Sequence, residues 1–326
     1  MKKLKLQDVV PFAAFIVIFV FFTIASGGKM LSAYNLRILL DQSMITIVVG
    51  LGVLFVAAQG SIDLSVGVNV AFSGVLATHI SLRLSAPWLL IPAALAISAA
   101  VGLVIGVIVS KLKVSSFMTT IAMLIGIRGV VNYIQTKIGV EYLDVSLKIL
   151  NEPYVKIPLF IAVTAVMAYL FEFTKLGRYS RAIGENETTA RSVGVPVEKM
   201  KIAVFLLSGL LAGVGAIFTL ISVGGSTNTM GNFLEMKVAM AIFLGGVLVT
   251  GGASARIYKV LLGAFSITII VNGLALIGKS ESQISETVEG ILLLLILYAA
   301  TAAARRDRRR SVKQAVASET SATEST

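Results

Sequence analysis

The sequence has no cysteine, one histidine and one tryptophan, and only 14 % of its 326 residues are charged. Without cysteine there is no disulfide framework, no thiolate metal site and no cysteine nucleophile. A lone histidine and scattered acids supply no ligand set for a metal centre, and no cofactor is expected. The charged share is about half that of an average soluble domain, whereas hydrophobic residues reach 56 % and mean hydropathy is +0.91. So little polar surface cannot enclose so much apolar material in water. A soluble enzyme, a fibre and a disordered chain are thereby excluded. The net charge of +11 would suit nucleic acid, but an excess of base alone says little about fold. These bases fall between long apolar runs, so the expected fold class is an all-α membrane protein and no nucleic-acid partner is expected.

A helix needs about 20 apolar residues to cross a ~30 Å hydrocarbon layer, since every backbone polar group must be paired within it. Runs of that order occupy 10–26, 43–58, 67–81, 88–110, 117–136, 157–173, 201–222, 237–250, 257–278 and 288–304. They predict ten transmembrane helices, the third and eighth short enough to be tilted or broken. Lysine and arginine then divide unevenly between the two sides. One side holds Lys2–Lys5, Lys111, Lys113, the bases of 174–201, Arg256, Lys259 and the 305–313 cluster, nineteen in all; the other holds eight. Arg128 lies inside a span. By the positive-inside rule both N- and C-termini are cytoplasmic.

The first run is read as a retained helix, being longer than a signal-peptide core although Lys2–Lys5 would serve as its basic flank. Residues 1–304 thus form a transmembrane domain. Residues 305–326 form a basic cytoplasmic tail without apolar period, expected to be disordered and to touch anionic lipid. The second to fifth and seventh to tenth spans are offset by five, an odd number, which predicts an inverted repeat.

Two connections are long. Segment 137–156 faces outward, and segment 174–200 faces the cytoplasm as the most polar stretch before the tail. Within the latter, Asn186 N-caps a predicted helix running to Val193, which Gly194 and Pro196 stop. Glu187 and Arg191 stand four apart on it and can pair. Within the membrane, Gln59-Gly60-Ser61-Ile62-Asp63-Leu64-Ser65-Val66-Gly67 interrupts one apolar run. It reads either as a broken, re-entrant element with Asp63 or Ser65 as cap, or as a tight interfacial loop. Intramembrane charge is costly, so Arg128, one turn from Asn132, either pairs with Asp63 or extends to an interface. Gly102/Gly106 and Gly209/Gly213 permit close helix contact, and His79 is expected near the outer interface. Gly273–Ser280 matches the phosphate-loop pattern, but it continues a membrane helix and is read as a chance match.

Three ordered motifs carry a family resemblance over roughly 35–304. Gly60-Ser61-Ile62-Asp63-Leu64-Ser65-Val66-Gly67 is similar to G-G-I-D-L-S-V-G. Leu176-Gly177-Arg178, Ala182–Glu187 and Ala190–Val195 resemble G-R…A-I-G-G-N-E-x-A-A-R-x-x-G-I. Leu244-Gly245-Gly246, Gly251-Gly252 and Asn272–Gly278 resemble L-G-G-T…G-G and N-G-L-x-L-x-G. The chain so resembles the permease subunits of ribose-type sugar ABC importers. Ser61 and Glu185 stand where that family usually has glycine, and Val247 where it has threonine. The resemblance implies two permease copies around one pathway, a separate ABC ATPase subunit and an extracytoplasmic substrate-binding protein, with no catalytic residue in this chain. It implies a coupling loop carrying Arg178, Gly184, Asn186, Glu187, Ala190, Arg191 and Gly194. The expected pathway residues are Asp63, Ser65, Asn69, Arg128, Asn132 and Asn272. An ion-coupled secondary transporter is the rival class, and nucleosides or branched-chain amino acids are the rival cargoes.

Overall fold

The computed structural model describes residues 6–278 and six isolated positions beyond them, Thr287, Gly290, Ile291, Leu294, Leu295 and Tyr298. The tail 305–326, the termination of the phosphate-loop match at Lys279-Ser280 and, apart from five of those positions, the predicted span 288–304 lie outside the described residues.

Eleven α-helices are described: α1 Leu6–Ala25, α2 Ala33–Ala58, α3 Val66–Arg83, α4 Leu90–Lys111, α5 Ser116–Ile138, α6 Pro153–Phe173, α7 Lys175–Glu185, α8 Glu187–Ser192, α9 Val197–Val223, α10 Leu234–Leu244 and α11 Ile257–Leu276. Two short strands, β1 Glu141–Tyr142 and β2 Gly225–Ser226, pair antiparallel. Six helices, α2, α4, α5, α6, α9 and α11, are long and apolar enough to cross a membrane. The chain is therefore a multi-pass helical membrane protein.

The eighth expected span, 237–250, is a broken one, and its bounds are corrected. Its helix begins at Leu234, holds 11 residues and stops at Leu244, because Gly246 turns the chain at φ +86°. Eleven residues span about 16 Å, half of a hydrocarbon layer. The 174–200 connector differs too. Only a helix after Asn186 was expected, yet α7 precedes it, with Thr174 accepting from the Leu176 N–H at 3.2 Å as its cap. Leu176, Tyr179 and Ile183 recur at i, i+3 and i+7 and turn one side inward.

Helices α2 and α9 form the centre, where most side chains are buried. A Cβ at Gly102 of α4 would stand 2.9 Å from Gly209 Cα of α9, and one at Gly209 would stand 3.0 Å from Gly102 Cα. At Gly52 of α2 it would meet Ser208 Cα at 3.0 Å. Missing side chains thus let the backbones close, and dispersion across the seam holds helices that share an apolar solvent. The contacts follow a pattern: α2 packs on α9, α4 on α9 and α11 on α2, α3 on α4 and α9, α10 on α11 and α2. Exchanging α2 with α9, α3 with α10 and α4 with α11 leaves it unchanged.

Loops sort to two ends. At one, Ser110 Oγ of α4 donates to Glu198 O at 2.9 Å and Gln59 Nε2, just past α2, donates to Ser180 Oγ at 3.2 Å. At the other, β1 and β2 pair, and His79 Nδ1 lies 2.8 Å from Glu141 Oε1. There Lys156, buried at 2 % exposure, donates to Asp41 and Ser222 at 2.8 Å and to Asn151 at 3.1 Å. That lysine joins α6 to α2 and α9 with its charge fully satisfied, as a buried cation requires.

Candidate translocation cavity and coupling unit

The chain leaves α2 at Gln59, and Gly60 turns it at φ +70°, so that Ser61–Ser65 run without helix. Asp63 organises this break. Its Oδ1 accepts from the Ser65 N–H at 3.0 Å and the Ser65 hydroxyl at 2.6 Å; its Oδ2 accepts from Ser208 Oγ of α9 at 2.7 Å. An Asx-type turn thus launches α3, while Ser65, at the cap position, makes no side-chain cap bond. Asn69 follows one turn later and donates to Ser98 O of α4 at 3.1 Å. Asp63, Ser65 and Asn69 are all buried. The sequence pairing of Arg128 with Asp63 is therefore corrected: Asp63 is satisfied by serines, the local partners that a backbone turn brings to it.

Arg128 reaches elsewhere. From α5 it donates through Nη1 to Met230 O at 3.1 Å and through Nη2 to Gly231 O at 3.3 Å. These carbonyls belong to the irregular connection between β2 and α10, where Gly231 O also accepts from the Leu234 N–H at 3.4 Å. The guanidinium fork satisfies two at once. The connection is pressed against α3: a Cβ on Gly67 would stand 2.6 Å from Gly231 O and would also meet Glu235 Oε2. Phe233 sits at φ +57° before α10, a conformation that costs a bulky residue and persists only under such constraint.

Around this connection lies a cavity of about 440 Å³ lined by Val68, Leu124, Arg128, Asn132, Asn228, Thr229, Asn232, Phe233 and Glu235. A second, of about 320 Å³, shares Asn132 and Asn228 and adds Gln135, Thr136, Gly139 and Val140. Together they make a polar groove along the outward face of α5. Of the expected pathway residues, the structure brings Arg128 and Asn132 to this groove. Asp63, Ser65 and Asn69 sit within the α3–α4–α9 packing, and Asn272 lies on α11, which packs on α1, α2 and α10. Sequence reasoning missed Asn228, Thr229, Asn232 and Glu235. Their signal was a polar cluster directly before an apolar run with an acid in its first turn.

The second unit is α7–α8. Asn186 Oδ1 accepts from the Thr189 N–H at 2.9 Å, capping α8, and Gly194 follows at φ +85°. Ala190, Ile183, Val195 and Val197 form a small separate core beneath it. Glu187 pairs with Lys201 at 2.8 Å and with Arg191 at 3.5 Å. The Lys201 hydrogen bond holds the Glu187 carboxyl below the usual glutamate range, and Arg191 adds to it. Arg178 donates to Phe173 O at 3.2 Å. The unit is joined to the bundle at several points. Gly184 packs on Ala58 O and the Gly252 N–H, where no Cβ fits. Glu185 Oε1 accepts from the Ala253 N–H at 2.7 Å, a local use for an acid where a glycine was expected. Glu172 accepts from Arg181 at 2.9 Å and Arg256 at 3.2 Å. Arg191, Ser192, Val193 and Gly194 remain exposed.

A multi-pass bundle with a half-length helix, a groove lined mainly by polar residues and a capped helical unit at one end suits a solute transporter. The family model described as branched-chain amino acid transport system / permease component matches residues 35–299, and the chain belongs to that family. It is 35 % identical over 256 residues to the ribose import permease protein RbsC of Escherichia coli strain K12, covering 76 % of this chain and 79 % of the relative. It is 29 % identical over 285 residues to the RbsC protein of Haemophilus influenzae, covering 81 % and 85 %. With the xylose transport system permease protein XylH of Escherichia coli strain K12 it shares 26 % identity over 346 residues, covering 85 % and 87 %. No solved structure matches the chain.

Proposed function

We propose that this chain is the membrane-spanning permease subunit of an ATP-driven importer for a monosaccharide, working with a separate ATPase and an extracytoplasmic binding protein. The observation that carries the reading is the 35 % identity with a ribose import permease over 76 % of the chain. The groove suits a sugar: six of the nine residues lining the larger cavity are polar or charged, and its apolar walls can pack against the faces of a sugar ring. The groove also runs on a helix face that lipid could cover only at high cost, so it fits the pathway. Arg128 and Asn132 line that pathway, while Asp63, Ser65 and Asn69 brace the half-buried break behind it. Asn272 acts through α11, away from the groove.

Ten spans, cytoplasmic termini, an inner-membrane location and a pairing of two permease copies complete the reading. The exchange symmetry of the contacts supports an inverted repeat, with α10 and α3 as its broken members. On this topology residues 1–304 form the membrane domain, 305–326 the cytoplasmic tail, and α7–α8 lies in the cytoplasm. The exposed rim Arg191–Gly194 docks on the ATPase. Gly184, Glu185 and Gln59 carry the resulting movement to the breaks after α2 and α10, and the permease pair rocks to open the pathway inward. Arg191→Ala and Gly194→Val test the role in the assembled importer. Both should insert normally yet lose ATPase stimulation and uptake together; full stimulation in both would remove the coupling role from this segment.

A further inference from the structure

The groove contains one feature that a simple conduit does not need. Glu235, in the first turn of α10, is 8 % exposed, and its Oε2 is a buried atom without a hydrogen-bond partner. A buried carboxylate oxygen left without a hydrogen bond is costly to the fold. It is retained over Gly67, whose missing Cβ makes the room it occupies. The same residue lines the 440 Å³ cavity with Asn132, Asn228, Thr229 and Asn232. Arg128 and Glu235 are the only charged residues of that lining, one of each sign, so the site is neutral as a whole. Two Arg128 nitrogens are already committed to the carbonyls of Met230 and Gly231.

This chemistry defines a ligand. A hydroxyl group can donate to the Glu235 carboxylate that lines the cavity while accepting from a neighbouring amide, and a polyhydroxylated ring offers several such groups at once. A phosphorylated or carboxylated sugar would set a second anion beside Glu235 with the nearby cation partly occupied. An amine would leave Arg128 unbalanced. Both carry a net charge into a site of low dielectric, where it is poorly compensated.

Resting on the importer reading above, we propose that Glu235 is the cargo-contacting residue of the permease itself. The carboxylate, part of the cavity lining, accepts a hydroxyl of a neutral sugar in transit, so the permease selects for uncharged polyols independently of the binding protein. Arg128 is a positioning residue that fixes the 228–232 connection from which the amides reach the cargo.

The test is uptake of radiolabelled D-ribose and D-xylose by proteoliposomes holding the complete importer, with ATP hydrolysis measured in parallel. Glu235→Gln keeps the shape but weakens the acceptor. It should lower maximal uptake about tenfold, the effect of losing one hydrogen bond to a charged group, while ATPase stimulation by the loaded binding protein persists. Asn228→Ala and Asn232→Ala, both on the exposed connection, should each lower uptake severalfold with hydrolysis retained. Unchanged uptake in Glu235→Gln overturns the proposal, as does a parallel fall of uptake and hydrolysis, which marks a structural role. If Glu235→Gln fails to assemble, the two asparagine variants decide, and wild-type uptake in both overturns it. A wild-type importer that moves none of a panel of neutral pentoses and hexoses refutes the functional reading instead.

Discussion

Replacing Asp63 separates its bracing role from any direct contact with cargo. The carboxylate accepts three hydrogen bonds, two from Ser65 and one from Ser208. In Asp63→Ala the Ser208 hydroxyl can rotate to a carbonyl of its own helix. The Ser65 N–H cannot turn and is stranded in a buried turn. A lost charge-assisted bond plus one stranded donor amounts to about 3 kcal/mol. In Asp63→Asn the Oδ1 acceptor survives, and removing a buried charge offsets the weakened Ser208 bond, so the loss stays under about 1 kcal/mol. Ser208→Ala removes only the bond between α3's approach and α9 and should cost about 1 kcal/mol. Unfolding of the purified chain in mixed micelles should therefore rank wild type, then Asp63→Asn and Ser208→Ala, then Asp63→Ala. The Asp63→Asn/Ser208→Ala double variant should be less than additive, because both changes remove one bond. Equal stability of Asp63→Ala and Asp63→Asn would refute the reasoning.

Gly102→Val drives a side chain into Gly209 of the α4–α9 seam and should cost about 1–3 kcal/mol by overpacking, read as a lower melting temperature in detergent. Gly126→Ala, where a Cβ meets nothing within 4 Å, should melt at the wild-type temperature. Glu187 has a folded pKa depressed below 4.5, so its contribution is complete above the unfolded value and fades as pH falls through the folded one. Exchange protection of the α8 amides, corrected for intrinsic rate, should accordingly drop below about pH 4.5 in wild type. It should be lower and flatter with pH in Glu187→Gln.

Much of this architecture is written in local pattern. Apolar run length marked the long helices, Asn186 announced α8, and the glycine pairs of α4 and α9 foretold the seam where they meet. What stayed hidden depends on distant partners. The shortness of the apolar run 237–250 marked it as a candidate for breaking, but the run continues through Gly245-Gly246 and does not show where α10 stops. Asp63 finds Ser208 at a separation of 145 residues, and Arg128 binds backbone carbonyls, which carry no signature in sequence. Glu235 is a single acid at the edge of an apolar segment. Only the fold places it over Gly67 and among the asparagines.

The central claim is that this chain imports a neutral sugar with energy borrowed from a partner ATPase. Proteoliposomes containing this chain, its ATPase and the sugar-loaded binding protein test it most directly. The account predicts D-ribose or D-xylose uptake that requires internal or external ATP on the ATPase side and stops when the ATPase or the binding protein is omitted. Uptake by this chain alone, driven by an imposed Na⁺ or proton gradient, would contradict it.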